Sequence, residues 1–222
     1  MKATVIDTGG EQKKLLPKFR QVARLARERG VRSLLDVGCR DCILYTALQA
    51  EGLDAIWYAG ADLFQNEAGT VDYVGDITRG IAVDSGSYDM VSALDVLEHL
   101  DDLQAGLDEL DRIARRYIVV ALPNMAHFQF RVRLLLKGRL NSKYDLKYGY
   151  GADRHRWVTV LPQTDDYFRR YCADKGYTLQ TVYTSLGSPR LSRLENVFKA
   201  LRFRPAWYVW AAFYIIDKGE RA

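Results

Sequence analysis

The sequence contains few cysteines and no long apolar run, and each absence excludes a class of protein. Three cysteines in 222 residues are too few and odd in number for a disulfide framework, which predicts a reducing compartment. No run reaches the roughly 18 apolar residues that a membrane-spanning helix needs. The first ten residues lack the apolar core of a secretory signal. We therefore expect a cytoplasmic protein without a transmembrane segment.

The composition and length are those of an ordinary globular protein. Hydrophobic residues make up 48% of the chain and charged residues 27%, which excludes a disordered or fibrous protein. The length predicts a single domain over residues 1–222.

Charge is distributed unevenly along the chain. Residues 1–116 contain 14 lysines and arginines against 20 acidic residues, whereas residues 117–222 contain 18 against 8. A basic second half indicates an anionic partner, such as a phosphate-bearing substrate, a nucleic acid or a membrane surface. The alternative is a solvated basic face without a partner.

Short apolar runs alternate with helical patterns through most of the chain. The patterns predict strands over 31–37, 55–61, 71–74, 88–94, 117–122, 177–185 and 207–217, and helices over 11–29, 41–51, 102–116, 126–137, 162–175 and 189–203. This alternation predicts an α/β fold with a doubly wound, mostly parallel sheet.

One region breaks this rhythm. Residues 124–161 contain an arginine-rich helix followed by a loop of tyrosine, glycine and basic residues over 141–156. Its place and composition predict an inserted helical lid over a ligand site at the carboxyl edge of the sheet. In such a lid, arginines would bind phosphates of a ligand and tyrosines would stack on one of its rings.

Four acidic markers follow the first four predicted strands. The first strand ends in Asp36-Val37-Gly38, and glycine lets a backbone approach a ligand closely. Asp62 closes the second strand and is placed to accept hydrogen bonds from ribose hydroxyls. Asp76 follows the third strand, where a carboxylate can meet an adenine amino group, and Asp95 follows the fourth.

These four markers, in this order, resemble the class I S-adenosylmethionine-dependent methyltransferases over nearly the whole chain. The run Ser-Ala-Leu-Asp-Val-Leu-Glu-His over 92–99 is similar to the branch that contains UbiG-like and MetW-like enzymes. Pro123-Asn124 and the basic stretch to Arg139 resemble the MetW-like group and enzymes of glycan gene clusters. The resemblance implies a Rossmann-like methyltransferase fold of seven strands, the last of them antiparallel.

The resemblance also implies a cofactor, S-adenosylmethionine, and the residues that bind it. The implied cofactor-binding residues are Asp36, Gly38, Cys39, Asp62, Leu63, Asp76, Ile77 and Asp95. The loop after the first strand departs from the family, because Arg40 and Cys42 stand where further glycines are usual. We expect these two side chains to point away from the cofactor; if they do not, the loop is that of a degenerate homologue.

Cys39 and Cys42 also form a C-x-x-C pair at a predicted helix start. One interpretation is a redox pair, and the other is two cysteines that happen to lie in the cofactor loop. No second pair exists in the sequence to complete a zinc site with four cysteines.

His99 and His127 are the candidate catalytic residues. Methylation of an oxygen needs a proton acceptor, and His99 lies next to the point where the fourth strand ends. We expect no metal; the alternative is a divalent ion on Asp95, Glu98 and His99, because Asp-x-x-Glu-His resembles the Glu-x-x-Glu-His site of small-RNA 2′-O-methyltransferases. A further alternative is that these residues only line the cofactor pocket.

The sequence therefore predicts methyl transfer from S-adenosylmethionine, with an oxygen of a small-molecule or glycan-type acceptor as the target and a phosphate on that acceptor as an option. Two alternatives remain open. One is an RNA methyltransferase that uses the basic half as a backbone track. The other is a non-catalytic binding protein on a degenerate methyltransferase fold.

Overall fold

The computed structural model describes residues 17–140, 142–144, 154–184 and 189–219. The helices are α1 (Pro17–Glu28), α2 (Ile43–Ala50), α3 (Leu103–Ile113), α4 (Phe128–Lys137), α5 (Leu161–Lys175) and α6 (Pro189–Ala200). The strands are β1 (Ser33–Val37), β2 (Trp57–Asp62), β3 (Tyr73–Val74), β4 (Tyr88–Leu94), β5 (Ala114–Pro123), β6 (Thr178–Thr184) and β7 (Ala211–Asp217).

The seven strands form one sheet in the order β3-β2-β1-β4-β5-β7-β6. β1 runs parallel to β2 and to β4, and β2 runs parallel to β3. β7 runs antiparallel to β6 along seven residue pairs. The predicted fold class is therefore confirmed.

The strands that the sequence predicts best are buried ones. All five residues of β1 are buried, and six of the seven residues of β4 are buried. Strands covered on both faces read as continuous apolar runs, which is why these two were visible in the sequence. Helix α3 begins at Leu103, within one residue of its predicted start, and the Asp102 carboxylate caps it by accepting a hydrogen bond from the Ala105 amide.

Several predicted boundaries differ from the structure by two residues or more. The helix predicted over 41–51 begins at Ile43, and Cys42 precedes it in a left-handed conformation without a side-chain cap. β5 begins at Ala114, directly after α3, rather than at Tyr117. β7 begins at Ala211, because Pro205–Trp207 forms a 3-10 turn.

The chain divides into two compact units. The first contains the described residues of 1–94, 102–119 and 218–222, and the second those of 95–101 and 120–217. Within the predicted lid, 124–161, the structure describes α4 and a 3-10 turn at Ser142–Tyr144. Much of the predicted loop over 141–156 lies outside the described residues. None of the helices in the described part of the chain is long and apolar enough to span a membrane.

Candidate functional site

In the first unit, the parallel strands end together at one edge of the sheet. Val37 at the end of β1 pairs with Ala61 of β2 and with Ala93 of β4. Asp62 at the end of β2 pairs with Val74 at the end of β3. Ligands of open α/β sheets bind at the carboxyl ends of the strands, so the loops that follow these strands form the candidate cofactor site.

The loop after β1 has the backbone shape of a glycine-rich loop, although it contains one glycine. Gly38, Arg40 and Cys42 all have positive φ, of 73°, 50° and 54°. The left-handed conformation costs a residue other than glycine roughly 1–2 kcal/mol. Arg40 and Cys42 thus adopt a conformation that glycine adopts without this cost.

Hydrogen bonds from β2 hold this loop in place. The amides of Gly38 and Cys39 donate to the Ala61 carbonyl, and the Arg40 amide donates to Oδ2 of Asp62 at 2.9 Å. Oδ1 of Asp62 accepts from the Leu63 amide at 2.7 Å. The carboxylate of Asp62 is thereby oriented, and each oxygen retains a lone pair for a further donor such as a ribose hydroxyl.

Two side chains of the β1 loop turn toward β2. Cys39 and Cys42 are both buried, whereas Arg40 is exposed. A Cβ added to Gly60 would lie 2.7 Å from Sγ of Cys39 and 3.0 Å from Sγ of Cys42. Because Gly60 has no side chain, the β1 loop can pack against β2, and the sulfur of Cys42 lies in the space beside Gly60.

The two thiols interact with each other. A hydrogen bond from Cys39 lowers the pKa of the Cys42 thiol to about 7, and the same bond together with burial raises the pKa of Cys39. The sulfur of Cys42 also lies 3.6 Å from the Thr70 carbonyl oxygen. The redox interpretation of this pair stays a prediction.

Asp36 supports the loop from inside the fold. Its side chain is 3% exposed, accepting from Ser92 Oγ at 2.8 Å and from the Tyr58 hydroxyl at 3.2 Å. Burial raises the pKa of Asp36 to about 7, against the lowering effect of the Ser92 bond. These contacts fit a supporting role for Asp36 under the loop, and its part in cofactor binding stays a prediction.

Asp76 starts a 3-10 turn after β3. Its Oδ1 accepts from the amide and from the hydroxyl of Thr78, and the Thr78 hydroxyl bond lowers the pKa of Asp76. The carboxylate is therefore held ionised and fixed in orientation. Ile77, the next residue, is buried, whereas Leu63 after β2 is 51% exposed.

In the second unit, the segment after β4 carries the other candidates. Asp95 has a φ of 60°, and its amide donates to the Ala121 carbonyl. Glu98 is fully buried, and its backbone carbonyl accepts from the amides of Arg156 and Trp157. These two bonds bring the segment that contains His155 onto the turn that contains His99.

The hydrogen bonds of the two histidines assign their tautomers. Nδ1 of His99 lies 3.0 Å from the Arg154 carbonyl oxygen, which can only accept, so this nitrogen carries the proton. The Tyr144 hydroxyl donates to the Trp157 carbonyl, so it accepts from Nδ1 of His155 at 3.0 Å. In the neutral rings, Nε2 of both histidines therefore keeps a lone pair.

The lone pair of His155 lies beside a buried carboxylate. Nε2 of His155 is 4.0 Å from Oε1 of Glu98, and one ligand atom from each of Glu98, His99 and His155 lies within 4.8 Å of the others. One carboxylate and two imidazole nitrogens form a donor set that suits a divalent transition metal. We refer to these three residues as the Glu98 cluster.

The Glu98 cluster differs from the predicted metal set. Among the described residues, His155 joins Glu98 and His99, and Asp95 is not part of the group. Sequence reasoning missed His155 because it follows a loop without periodicity, 56 residues after His99. The one available signal was the type of residue itself, since the chain contains three histidines.

His127 has a different environment. It is fully buried, its Nδ1 accepts from the Gln129 amide at the start of α4, and Trp210 packs against its ring. Burial lowers the pKa of His127 to about 4, so the ring is neutral at pH 7. These contacts favour a helix-capping role, and catalysis by His127 stays an untested prediction.

The chain matches a known family over residues 6–182, the family described as methyltransferase domain. The chain belongs to this family. Membership confirms the predicted class of enzyme, a methyltransferase, and with it the predicted cofactor, S-adenosylmethionine. No match was found among curated proteins.

Solved structures share the fold. The methyltransferase domain of bacterial CtHen1 is 13% identical with a TM-score of 0.60, over 90% of this chain and 97% of that one. A SAM-dependent methyltransferase from Archaeoglobus fulgidus is 17% identical with a TM-score of 0.54, over 90% and 94%. Magnesium protoporphyrin IX methyltransferase from Synechocystis PCC 6803 is 17% identical with a TM-score of 0.55, over 91% and 82%.

Proposed function

We propose that this methyltransferase transfers the methyl group of S-adenosylmethionine to an oxygen of a small-molecule or glycan-type acceptor, as a member of the MetW-like and UbiG-like branch. The observation that carries the proposal is the Glu98 cluster, which supplies proton acceptors in the segment directly after β4. The sulfonium methyl group is already activated, so positioning supplies much of the rate. An oxygen nucleophile additionally has to lose its proton.

The first unit would hold the cofactor. Asp62 is oriented by the amides of Arg40 and Leu63, which leaves its oxygens to accept from the ribose hydroxyls. Asp76 is ionised and held by Thr78, and it would accept from the adenine amino group. The positive φ of Gly38 lets the backbone of the β1 loop approach the cofactor closely.

The second unit would activate the acceptor. His99 presents Nε2 as its unprotonated nitrogen because Nδ1 donates to a carbonyl. We assign His99 as the general base that removes the acceptor proton, a role worth about 10²–10⁴ in rate. His155 and Glu98 position this ring and stabilise the imidazolium that forms.

The Glu98 cluster also fits a divalent metal ion. Glu98 would contribute a carboxylate oxygen, and His99 and His155 would contribute Nε2. Such an ion lowers the pKa of a bound hydroxyl group and would replace the need for a free base. Tyr144 holds His155 in the tautomer that either role requires.

The test uses S-adenosylmethionine with a labelled methyl group. The purified protein is incubated separately with sugar phosphates, with simple phenols and with RNA, and each reaction is repeated with a chelator and with added Mn²⁺. The proposal expects label in a hydroxyl-bearing small molecule, in a bond that resists mild alkali as an ether does and a methyl ester does not. Label that enters only RNA, or only alkali-labile bonds, contradicts it.

A second candidate function is methylation of RNA. The observation that favours it is the basic second half, with 18 lysines and arginines against 8 acidic residues. Binding of RNA to such a surface would weaken steeply with salt, because each neutralised phosphate releases counterions. Filter binding over a salt series distinguishes the candidates, since a small-molecule enzyme would retain no RNA.

A further inference from the structure

Two helices of the second unit expose rows of large aliphatic side chains. On α4, Leu135 is 83% exposed and Leu136 is 76% exposed, and Val132 lies on the same face at helical spacing. On α6, Leu194 and Val197 are 46% and 51% exposed. Surface helices usually turn such residues inward, and clustered exposed apolar side chains mark interaction sites.

Basic side chains surround these aliphatic rows. The exposed lysines and arginines are Arg131, Arg133, Lys137 and Arg139 on and after α4, and Arg193, Lys199, Arg202 and Arg204 on and after α6. No acidic residue occurs in the sequence of 128–140, and the single one in 189–205, Glu195, is buried. Both helices therefore combine exposed aliphatic side chains with exposed positive charges.

An aromatic cluster joins the two helices. The ring of Phe128 on α4 lies 5.2 Å from the ring of Phe198 on α6. The guanidinium of Arg131 lies 4.3 Å from the centre of the Trp207 ring, which also packs near Phe198. We call the exposed side chains of 131–139 and 193–204 the α4–α6 surface.

We propose that the α4–α6 surface docks the protein on an anionic lipid bilayer. Basic amphipathic helices bind at the interface of such membranes, where aliphatic side chains enter the acyl boundary and lysines and arginines meet lipid phosphates. A nucleic acid would satisfy the charges but would leave Leu135 and Leu136 in water. A protein partner buries a core that is depleted of charge, whereas this surface intersperses cations with its aliphatic groups.

Flotation with lipid vesicles tests the proposal in the full chain, without an acceptor or cofactor. Vesicles of phosphatidylcholine alone are compared with vesicles that contain about one-third phosphatidylglycerol. The protein should float with the anionic vesicles and remain at the bottom with the neutral ones. Binding should weaken when salt is raised from about 0.15 M to about 0.5 M, which shortens the screening length.

Two double variants separate the apolar and the charged contributions. Leu135→Ser with Leu136→Ser should lower the vesicle partition coefficient at least tenfold. Arg133→Gln with Lys137→Gln should lower it about 25-fold, since each cation near an anionic surface is worth about fivefold. All four side chains are exposed, so thermal melting should be unchanged.

A matched control lies in the first unit. Val74 is 53% exposed and Arg20 is exposed, so Val74→Ser with Arg20→Gln removes the same kinds of group elsewhere. This control should bind vesicles as the unmodified chain does. The proposal is overturned if the unmodified chain does not float, if it floats equally with neutral vesicles, or if the control loses as much binding as the α4 variants.

Two further outcomes would overturn the proposal in favour of another occupant. One is a dimer, seen by light scattering, that the Leu135→Ser, Leu136→Ser variant converts to monomer. The other is salt-dependent binding of RNA, lost in the Arg133→Gln, Lys137→Gln variant, by a chain that ignores vesicles. None of these measurements depends on the proposed O-methylation.

Discussion

Replacement of Asp36 by asparagine should abolish the pH dependence of stability that this residue imposes. Asp36 is buried, and its pKa rises from the usual 3.8 to about 7. A folded-state pKa above the unfolded value means that the folded protein keeps a proton that the unfolded chain releases. The free energy of unfolding should therefore fall as pH rises from about 4 to about 7.

The magnitude follows from the two pKa values. A rise of about three pH units corresponds to about 4 kcal/mol, at about 1.4 kcal/mol for each unit of pKa. Asparagine has nearly the same shape, can accept from Ser92, and does not ionise. The stability of Asp36→Asn minus that of the unmodified chain should thus rise by roughly 3–4 kcal/mol as pH increases from about 4 to about 8.

Chemical denaturation at about pH 4 and about pH 8 measures this difference. The comparison cancels other titrating groups, His127 among them, because both proteins contain them. Ser92→Ala serves as a control in the opposite direction: it removes a bond that favours the ionised carboxylate, so it should steepen the loss of stability with pH. Equal pH dependence in the unmodified chain and Asp36→Asn would refute the reasoning.

Three other substitutions test the packing and the chemistry of the site. Gly60→Ala should cost about 1–3 kcal/mol of stability and weaken S-adenosylmethionine binding, because the added Cβ would meet the Cys39 sulfur at 2.7 Å. Adding Cys39→Ala in a double variant should restore part of the stability, measured by denaturation, and part of the affinity, measured by calorimetry. His99→Ala should lower turnover about 10²–10⁴-fold with cofactor affinity retained, and full turnover would exclude His99 as the base. His127→Asn should retain turnover and the cap of α4, and it should lose the fall in stability that His127 imposes as pH drops from about 6.5 to about 4, the range in which the unfolded chain binds a proton at His127 and the folded chain does not; a loss of turnover would return the base to His127.

The sequence predicted the elements whose residues are buried on both faces or capped locally. β4 has the predicted bounds, Tyr88–Leu94, because seven consecutive residues of a central strand carry the pattern. The observed start of α3 at Leu103 is within one residue of the predicted start at 102, and the cap there, formed by Asp102, is a contact between near neighbours in the chain. Local chemistry and burial were sufficient for these elements.

Other features depend on contacts that the sequence does not encode locally. Cys42 adopts a left-handed conformation while its sulfur packs beside Gly60, 18 residues away. His155 reaches the Glu98 cluster through backbone bonds between residues more than 50 positions apart. The exposed leucines of α4 fit a helical pattern, but periodicity alone does not tell whether an apolar face packs inside the protein or lies on its surface.

Titration calorimetry of S-adenosylmethionine against Asp62 variants tests the central claim most directly. Asp62 is the carboxylate that links the β1 loop to the proposed ribose site, and each bond to a charged group is worth about 1.5–3 kcal/mol. Asp62→Ala should therefore lose at least about tenfold in affinity. The control Asp54→Ala, at an exposed acid of the same unit, should bind as the unmodified chain does. Equal affinity of Asp62→Ala and the unmodified chain, or no binding by either, would contradict the account.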